Sequence, residues 1–213
     1  MTKWTNTLVN CPACCEDGNF KICPSIDIEE NPELKSKIFN RELFRFTCPE
    51  CGEKIVVAYD CTLIDNQNKY IVALVTNDTD DDLQSKLAVN GYQLRITHSI
   101  NQFAEKLALL EDNIDDKVIE LYKLMLEGQY EDERPGAEIL GIYYGGKNTE
   151  ADNLLFYIIT GDRENCRATL SMETYKAIEE QFAAAKDKYS HDCEINSDWA
   201  IAVLQSGELN KEE

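Results

Sequence analysis

The chain has 213 residues, enough to bury a core without help from disulfides. Its 40 acidic against 21 basic residues leave a net charge of −19, a balance that disfavours nucleic-acid backbones and anionic lipid surfaces as partners. No secretory leader and no run of eighteen apolar residues is found, so the expected setting is the reducing cytoplasm, where nine cysteines serve as thiols or metal ligands more often than as disulfides.

The first informative stretch is "CPACCEDG", residues 11–18, which answers to "CPECG" at 48–52. Two residues between cysteines let a tight turn point both sulfurs at one ion, and proline after the first cysteine fixes a backbone angle of that turn. Glycine after the second cysteine tolerates the left-handed conformation that brings backbone N–H groups towards the sulfurs. Cys11, Cys14, Cys48 and Cys51 thus read as two knuckles in a C-x2-C-x33-C-x2-C pattern, the ligand set of a tetrahedral zinc site. Iron has the same ligands in a rubredoxin-like site. A redox dithiol would need one pair at the start of a helix, whereas "CPECGEKIVVAYD" runs into a strand. The long gap is filled by "KICPSIDIEE" as a strand, "NPELKSKIFN" as a helix with Asn31 as N-cap and Pro32 at its first position, and "ELFRFT" as a second strand.

These residues resemble the CpXC family of bacterial and archaeal proteins, named for two cysteine-proline-x-cysteine motifs. The likeness rests on both motifs, on "PSIDIEENPELKSKIFNRELFRFTCPECG" and on "FAEKLALLEDNIDDKVIELYKLML", and spans about residues 7 to 127. It implies a zinc-binding domain with Cys11, Cys14, Cys48 and Cys51 as ligands, and no particular activity. Cys15 departs from the pattern, because the family usually has glycine there.

Further along, "YIVALVT" reads as a strand and the acidic run 77–82 as a solvated turn. From Ser99 the period becomes helical. Ser99 and Gln102 have capping-box spacing, and Ile100, Phe103, Leu107, Leu110 and Ile114 form an apolar face. Asp115 is expected to cap a second helix that buries Val118, Ile119, Tyr122, Met125 and Leu126 and stops at Gly128. The polar segment 129–136 reads as a linker. Beyond it "AEILGIYYG", "NLLFYIITGD" and "CRATLSM" read as strands, "METYKAIEEQFAAAKDKY" as a helix with Tyr175, Ile178, Phe182 and Ala185 inward, and "SDWAIAVLQSG" as a final short element.

The expected architecture is α+β: zinc-ribbon-like paired knuckles on an antiparallel sheet with a helical pair in residues 1–128, a linker at 129–136, and a smaller α+β lobe at 137–213. Other chemistry is thin. His98 lacks a second ligand at helical spacing, the neighbours His191, Asp192, Cys193 and Glu194 cannot all face one ion, and "GIYYGGKN" matches no phosphate loop. Cys23, Cys61 and Cys166 read as small buried apolar groups. The function expected is a non-catalytic binding or scaffolding module with a structural zinc site and a protein partner. Its alternatives are an enzyme with a pocket between the lobes, drawing on acids such as Asp65, and a thiol redox protein using Cys15.

Overall fold

The structure is a computed structural model in which residues 1–77, 83–162, 165–183 and 188–206 are described. Of the acidic turn expected at 77–82, residues 78–82 lie outside the described residues. The chain is α+β and divides into two compact units, Met1–Ala104 and Glu105–Glu213.

In the first unit β1 (Lys3–Asn10) and β2 (Asp17–Asp27) form an antiparallel hairpin. α1 (Glu33–Phe39) follows, preceded by Pro32, which caps it without a side-chain bond. Asn31 donates instead to the Glu33 carboxylate at 3.4 Å and so is not the N-cap expected. A 3₁₀ turn at Glu42–Phe44 takes the first half of the segment read as one strand, and leads into the hairpin of β3 (Arg45–Thr47) and β4 (Lys54–Val56). β5 (Cys61–Asp65), β6 (Tyr70–Leu74), the short α2 (Leu83–Leu87) and β7 (Gln93–Thr97) complete the unit with the start of α3 (Ile100–Glu111).

The main sheet has the order β1-β2-β5-β6-β7. It is mixed rather than purely antiparallel, since β2 pairs with β5 and β6 with β7 in parallel. The parallel step from β2 to β5 needs a crossover, and α1 with the β3–β4 hairpin supplies it. β6 is buried at every position, as a central strand covered on both faces must be. At the β5–β6 turn the buried Asp65 accepts from the Asn68 backbone N–H at 2.7 Å and from its side-chain amide at 3.0 Å. Burial alone would raise this carboxyl, but those bonds, Tyr70 and Lys35 hold it below its ordinary value. The residue named above as a catalytic candidate thus has its oxygens committed to a turn.

Ser99 starts α3 as expected. Its hydroxyl accepts from the Gln102 N–H at 3.2 Å, while the Gln102 side chain reaches back to the His98 N–H at 3.0 Å. Asn113 ends the helix in a left-handed conformation at φ 54°. Asp115 then caps α4 (Asp116–Glu133) by accepting from the Lys117 N–H. Two expectations fail on this helix. It passes through Gly128 and takes in most of the supposed linker, because Leu126 and Tyr130, four residues apart, are both buried and carry it past a glycine that costs only about 1 kcal/mol. Pro135 stops it, by disfavouring helical geometry at Arg134. Met125, expected inside, is 58% exposed, and Leu121 is buried instead.

The rest of the second unit is an antiparallel sheet of β8 (Ile139–Asn148), β9 (Asn153–Thr160) and β10 (Asn165–Ser171) with β9 central, and two helices, α5 (Met172–Ala183) and α6 (Ser197–Gln205). α5 buries Tyr175, Ile178 and Phe182 as its period requires; Ala185 lies outside the described residues. The glycines of "GIYYGGKN" serve the strand. Gly145 lies under the Tyr157 ring, where a Cβ would come within 2.5 Å, and Gly146 takes φ 118° at a register shift in β8.

What the apolar period did not disclose is a buried ionic network between α3 and α4. Lys106 reaches Asp116 at 3.2 Å and Glu120 at 2.9 Å, and Lys123 reaches Glu105 at 2.7 Å and Glu120 at 3.2 Å. Glu105 also accepts from the Tyr144 N–H at 2.6 Å. Burial works against the Lys106 charge, but its three carboxylate neighbours outweigh it and hold the ammonium above its ordinary range. Removing one member of such a network strands its partners in low dielectric. Lys106→Met is therefore expected to cost roughly 3–5 kcal/mol in urea unfolding, while Met125→Ala on the exposed face of α4 should stay within about 0.5 kcal/mol. Equal effects at the two sites would refute the account of this packing.

Candidate metal centre

Each cysteine pair sits on the turn of a hairpin: residues 11–16 join β1 to β2, and residues 48–53 join β3 to β4. The two turns are bonded alike. Cys11 N–H donates to the Glu16 carbonyl at 3.0 Å, and Cys48 N–H to the Glu53 carbonyl at 2.8 Å. One turn back, Cys15 N–H donates to Cys11 at 2.8 Å and Gly52 N–H to Cys48 at 3.0 Å. Glu16 N–H in turn bonds the Cys14 sulfur, and Glu53 N–H the Cys51 sulfur. Each knuckle therefore closes through a glutamate whose backbone accepts from the first cysteine and donates to the second. This role was missed in reading the sequence, although laying "CPACCE" over "CPECGE" shows it.

The comparison also resolves Cys15. It stands where the second knuckle has Gly52, and adopts the same left-handed backbone, φ 61° against 77°. The turn keeps its geometry at the cost of strain in a residue with a Cβ. The Asn10 side-chain amide steadies it, donating to the Cys15 carbonyl and to Asp17, each at 3.0 Å. The Cys15 thiol is exposed.

Behind the turns the hairpins pack without room to spare. A Cβ on Gly18 would lie 2.5 Å from the Phe46 ring and 2.9 Å from Pro49, so glycine there lets β2 pass beside the second knuckle. Phe20 meets Phe46 and Tyr59 edge-on, with centroids 5.8 and 6.1 Å apart. The Tyr59 hydroxyl accepts from the Cys23 N–H at 3.3 Å and donates to the Leu43 carbonyl at 3.2 Å, tying β2 to the 3₁₀ turn before β3.

The result is convergence. The sulfurs of Cys11, Cys14, Cys48 and Cys51 all lie within 4.8 Å of one another, with Cys11 to Cys51 and Cys14 to Cys48 both at 3.6 Å. A zinc–sulfur bond of about 2.3 Å sets tetrahedral sulfurs about 3.8 Å apart, so the donor set fits such an ion. Cys11 and Cys48 are buried, Cys14 is half-buried and Cys51 exposed. The N–H groups of Cys51 and Glu50 bring the Cys48 thiol down to about 7. At Cys14 the Glu16 N–H pulls the same way, but desolvation and the other three sulfurs prevail and push the thiol up to about 12. Cys51 is also raised: the Glu53 N–H and Cys14 lower it, and desolvation with the Cys11 and Cys48 sulfurs overcomes them. The crowding thus favours the thiolate at Cys48 and opposes it at Cys14 and Cys51. These four cysteines could hold a metal ion.

Among the described residues no other histidine, cysteine or acidic group of this kind converges. In the 191–194 segment, Asp192 accepts from the Trp199 indole N–H at 2.7 Å and Cys193 is buried. Cys23 and Cys61 are buried as expected, with the Cys61 thiol donating to the Cys23 carbonyl at 3.2 Å. Cys166 is only half-buried. It lies 3.6 Å from the Tyr130 hydroxyl, which accepts from Arg134 at 3.2 Å, and these three residues line a cleft of about 280 Å³ between α4 and β10.

Two hairpin turns that converge four sulfurs, on an α+β fold, define a protein with a four-cysteine, metal-capable cluster. The family model described as CpXC protein matches residues 9–123, more than half of the chain, with both knuckles inside the match. The chain belongs to the CpXC family. No curated protein and no solved structure matches it.

The knuckle geometry fixes the sign of two substitutions. Cys15→Gly should stabilise the protein by about 1 kcal/mol, because glycine meets the left-handed position without steric cost. Gly18→Ala should destabilise it by roughly 1–3 kcal/mol through overpacking against Phe46 and Pro49. Denaturant unfolding of both variants checks the pair, and a destabilised Cys15→Gly would show that the thiol itself contributes.

Proposed function

We propose that Cys11, Cys14, Cys48 and Cys51 ligate a single zinc ion in a closed structural site, and that the chain is a non-catalytic binding or scaffolding module of the cytoplasm acting through a protein partner. One observation carries this reading: four sulfurs from two separate hairpins lie within 4.8 Å of one another, two pairs of them at 3.6 Å. Four protein thiolates occupy every position of a tetrahedral ion and leave none for water or substrate. The ion would supply charge neutralisation and a cross-link between the two turns, while the backbone N–H groups of Glu16, Glu50, Cys51 and Glu53 would offset the remaining thiolate charge. The acidity of the chain disfavours nucleic acid as partner, and no helix among the described residues is long and apolar enough to cross a membrane.

Elemental analysis of protein purified without added metal is expected to find about one zinc per chain. Iron in that amount would keep the ligands and change the ion. A metal-free protein that is nonetheless fully folded would overturn the reading. Chelation should expose four further thiols to titration and unfold the first unit, whereas a redox dithiol would react at once with the folded protein.

The pH dependence has a definite sign. Ligation needs thiolates, so protons compete with the metal and affinity falls as pH is lowered. With Cys14 and Cys51 both raised, uptake at neutral pH should release on the order of two or more protons per ion, measurable by titration calorimetry in buffers of different ionisation enthalpy.

A further inference from the structure

We propose that two copies of this chain associate through β1, whose exposed edge pairs antiparallel with the same edge of a second copy, to make one continuous sheet across a twofold axis at Asn6.

The first observation is the edge. β1 is eight residues long, lies outermost in its sheet and pairs with β2. Its residues are exposed or half-buried throughout. Among the devices that keep edge strands from pairing, proline and acids are absent from "KWTNTLVN", its one charge is Lys3 at the end, and the register shift against β2 is confined to Lys3–Thr5. In a chain of net charge −19, two copies repel over most of their surface. Here they meet on a strand without carboxylates.

The second observation is self-complementarity. The register with β2 sets Asn6 opposite Lys21 and Leu8 opposite Asn19, on the exposed face. Trp4 shares that face, and Lys21 lies over its ring at 4.8 Å. Trp4 is 42% and Leu8 67% exposed, two apolar side chains at the open edge of an otherwise polar strand face. Under a twofold axis normal to the sheet, directly opposed residues must share a face, so the axis must fall on a residue rather than between two. An axis at Asn6 sets Trp4 against Leu8 of the second copy, and Leu8 against Trp4 of the second copy. Shifting it to Thr5 or Thr7 sets both apolar groups against polar ones. Within the stretch Trp4-Thr5-Asn6-Thr7-Leu8 the remaining matches are Thr5 with Thr7 and Asn6 with itself. Threonine pairs and aromatic–aliphatic pairs are favourable cross-strand neighbours, and facing amides can exchange hydrogen bonds on the axis. A contact that uses the same patch on both copies closes on itself, so it makes a dimer and not a fibre. The pairing does not depend on which metal the cysteines hold.

The test is sedimentation equilibrium of the full, metal-loaded chain over roughly 5–500 µM, the range in which a small interface would assemble. The expected result is a concentration-dependent mass rising towards twice the 24.3 kDa of one chain. Added salt should strengthen association by screening the −19 charge. Leu8→Glu, at an exposed position, should weaken it at least about tenfold, and Asn6→Asp, which sets two carboxylates face to face on the axis, should do the same. Circular dichroism should report the wild-type fold for both variants. Monomer at every concentration, a dimer indifferent to both substitutions, or growth beyond two copies would each overturn the proposal.

Discussion

The first unit depends on the meeting of four sulfurs at the tips of two hairpins. Between Cys14 and Cys48 the chain completes β2, forms α1 and a 3₁₀ turn, and enters β3 before it returns to the same point. Closing a loop of that length costs conformational entropy, and the cost must be met by what happens at the closure. Aromatic packing contributes: Phe20, Phe44, Phe46 and Tyr59 form a joined group behind the turns. At the closure itself, four thiols 3.6 to 4.8 Å apart repel as soon as more than one ionises. The packing delivers the sulfurs to one place, and only a cation makes that place favourable for all of them as thiolates.

The two knuckles show how local chemistry can be duplicated without duplicating sequence. The proline, the cysteine spacing and the glutamate recur, and the backbone bonds follow them residue for residue. Ala13 stands against Glu50 and Cys15 against Gly52, and at the second of these positions, the left-handed one, the backbone stays as it is while the side chain bears the strain. That order of priority is informative. Turn geometry is set by the need to direct N–H groups at sulfur, which is lost if the backbone relaxes. A Cβ clash of about 1–2 kcal/mol is the smaller loss.

How legible each part was in the sequence follows from the range of the forces that shape it. The knuckles, the caps at Ser99 and Asp115, and the inward face of α5 are set by residues a few positions apart, and spacing alone discloses them. The course of α4 is set by tertiary burial: Leu126 and Tyr130 have their partners elsewhere in the second unit, so Gly128 looked like a stop and is not one. The ionic network is a sharper case. Charged residues are usually solvated, and nothing in the spacing of Lys106, Asp116, Glu120 and Lys123 sets them apart; the structure shows each meeting its counter-charge inside. The parallel steps of the main sheet were equally hidden, since no local pattern records that a crossover has intervened.

Buried charges and a metal-capable cluster of four cysteines raise the same question of what such costly polar groups secure. Replacing a buried ion pair by apolar side chains of similar volume is often neutral or stabilising, so net stability alone does not account for Lys106 and its carboxylates. Geometry offers a better account. Apolar stripes on two helices can slide by a turn and still bury similar area, but Lys106 finds Asp116 and Glu120 in one register only, while Glu105 meets both Lys123 and the Tyr144 N–H. The knuckles would work alike on the proposed ligation, because four sulfurs satisfy a tetrahedral ion in one mutual arrangement. In both units, then, directional polar contacts select a single packing from among those that hydrophobic burial would tolerate.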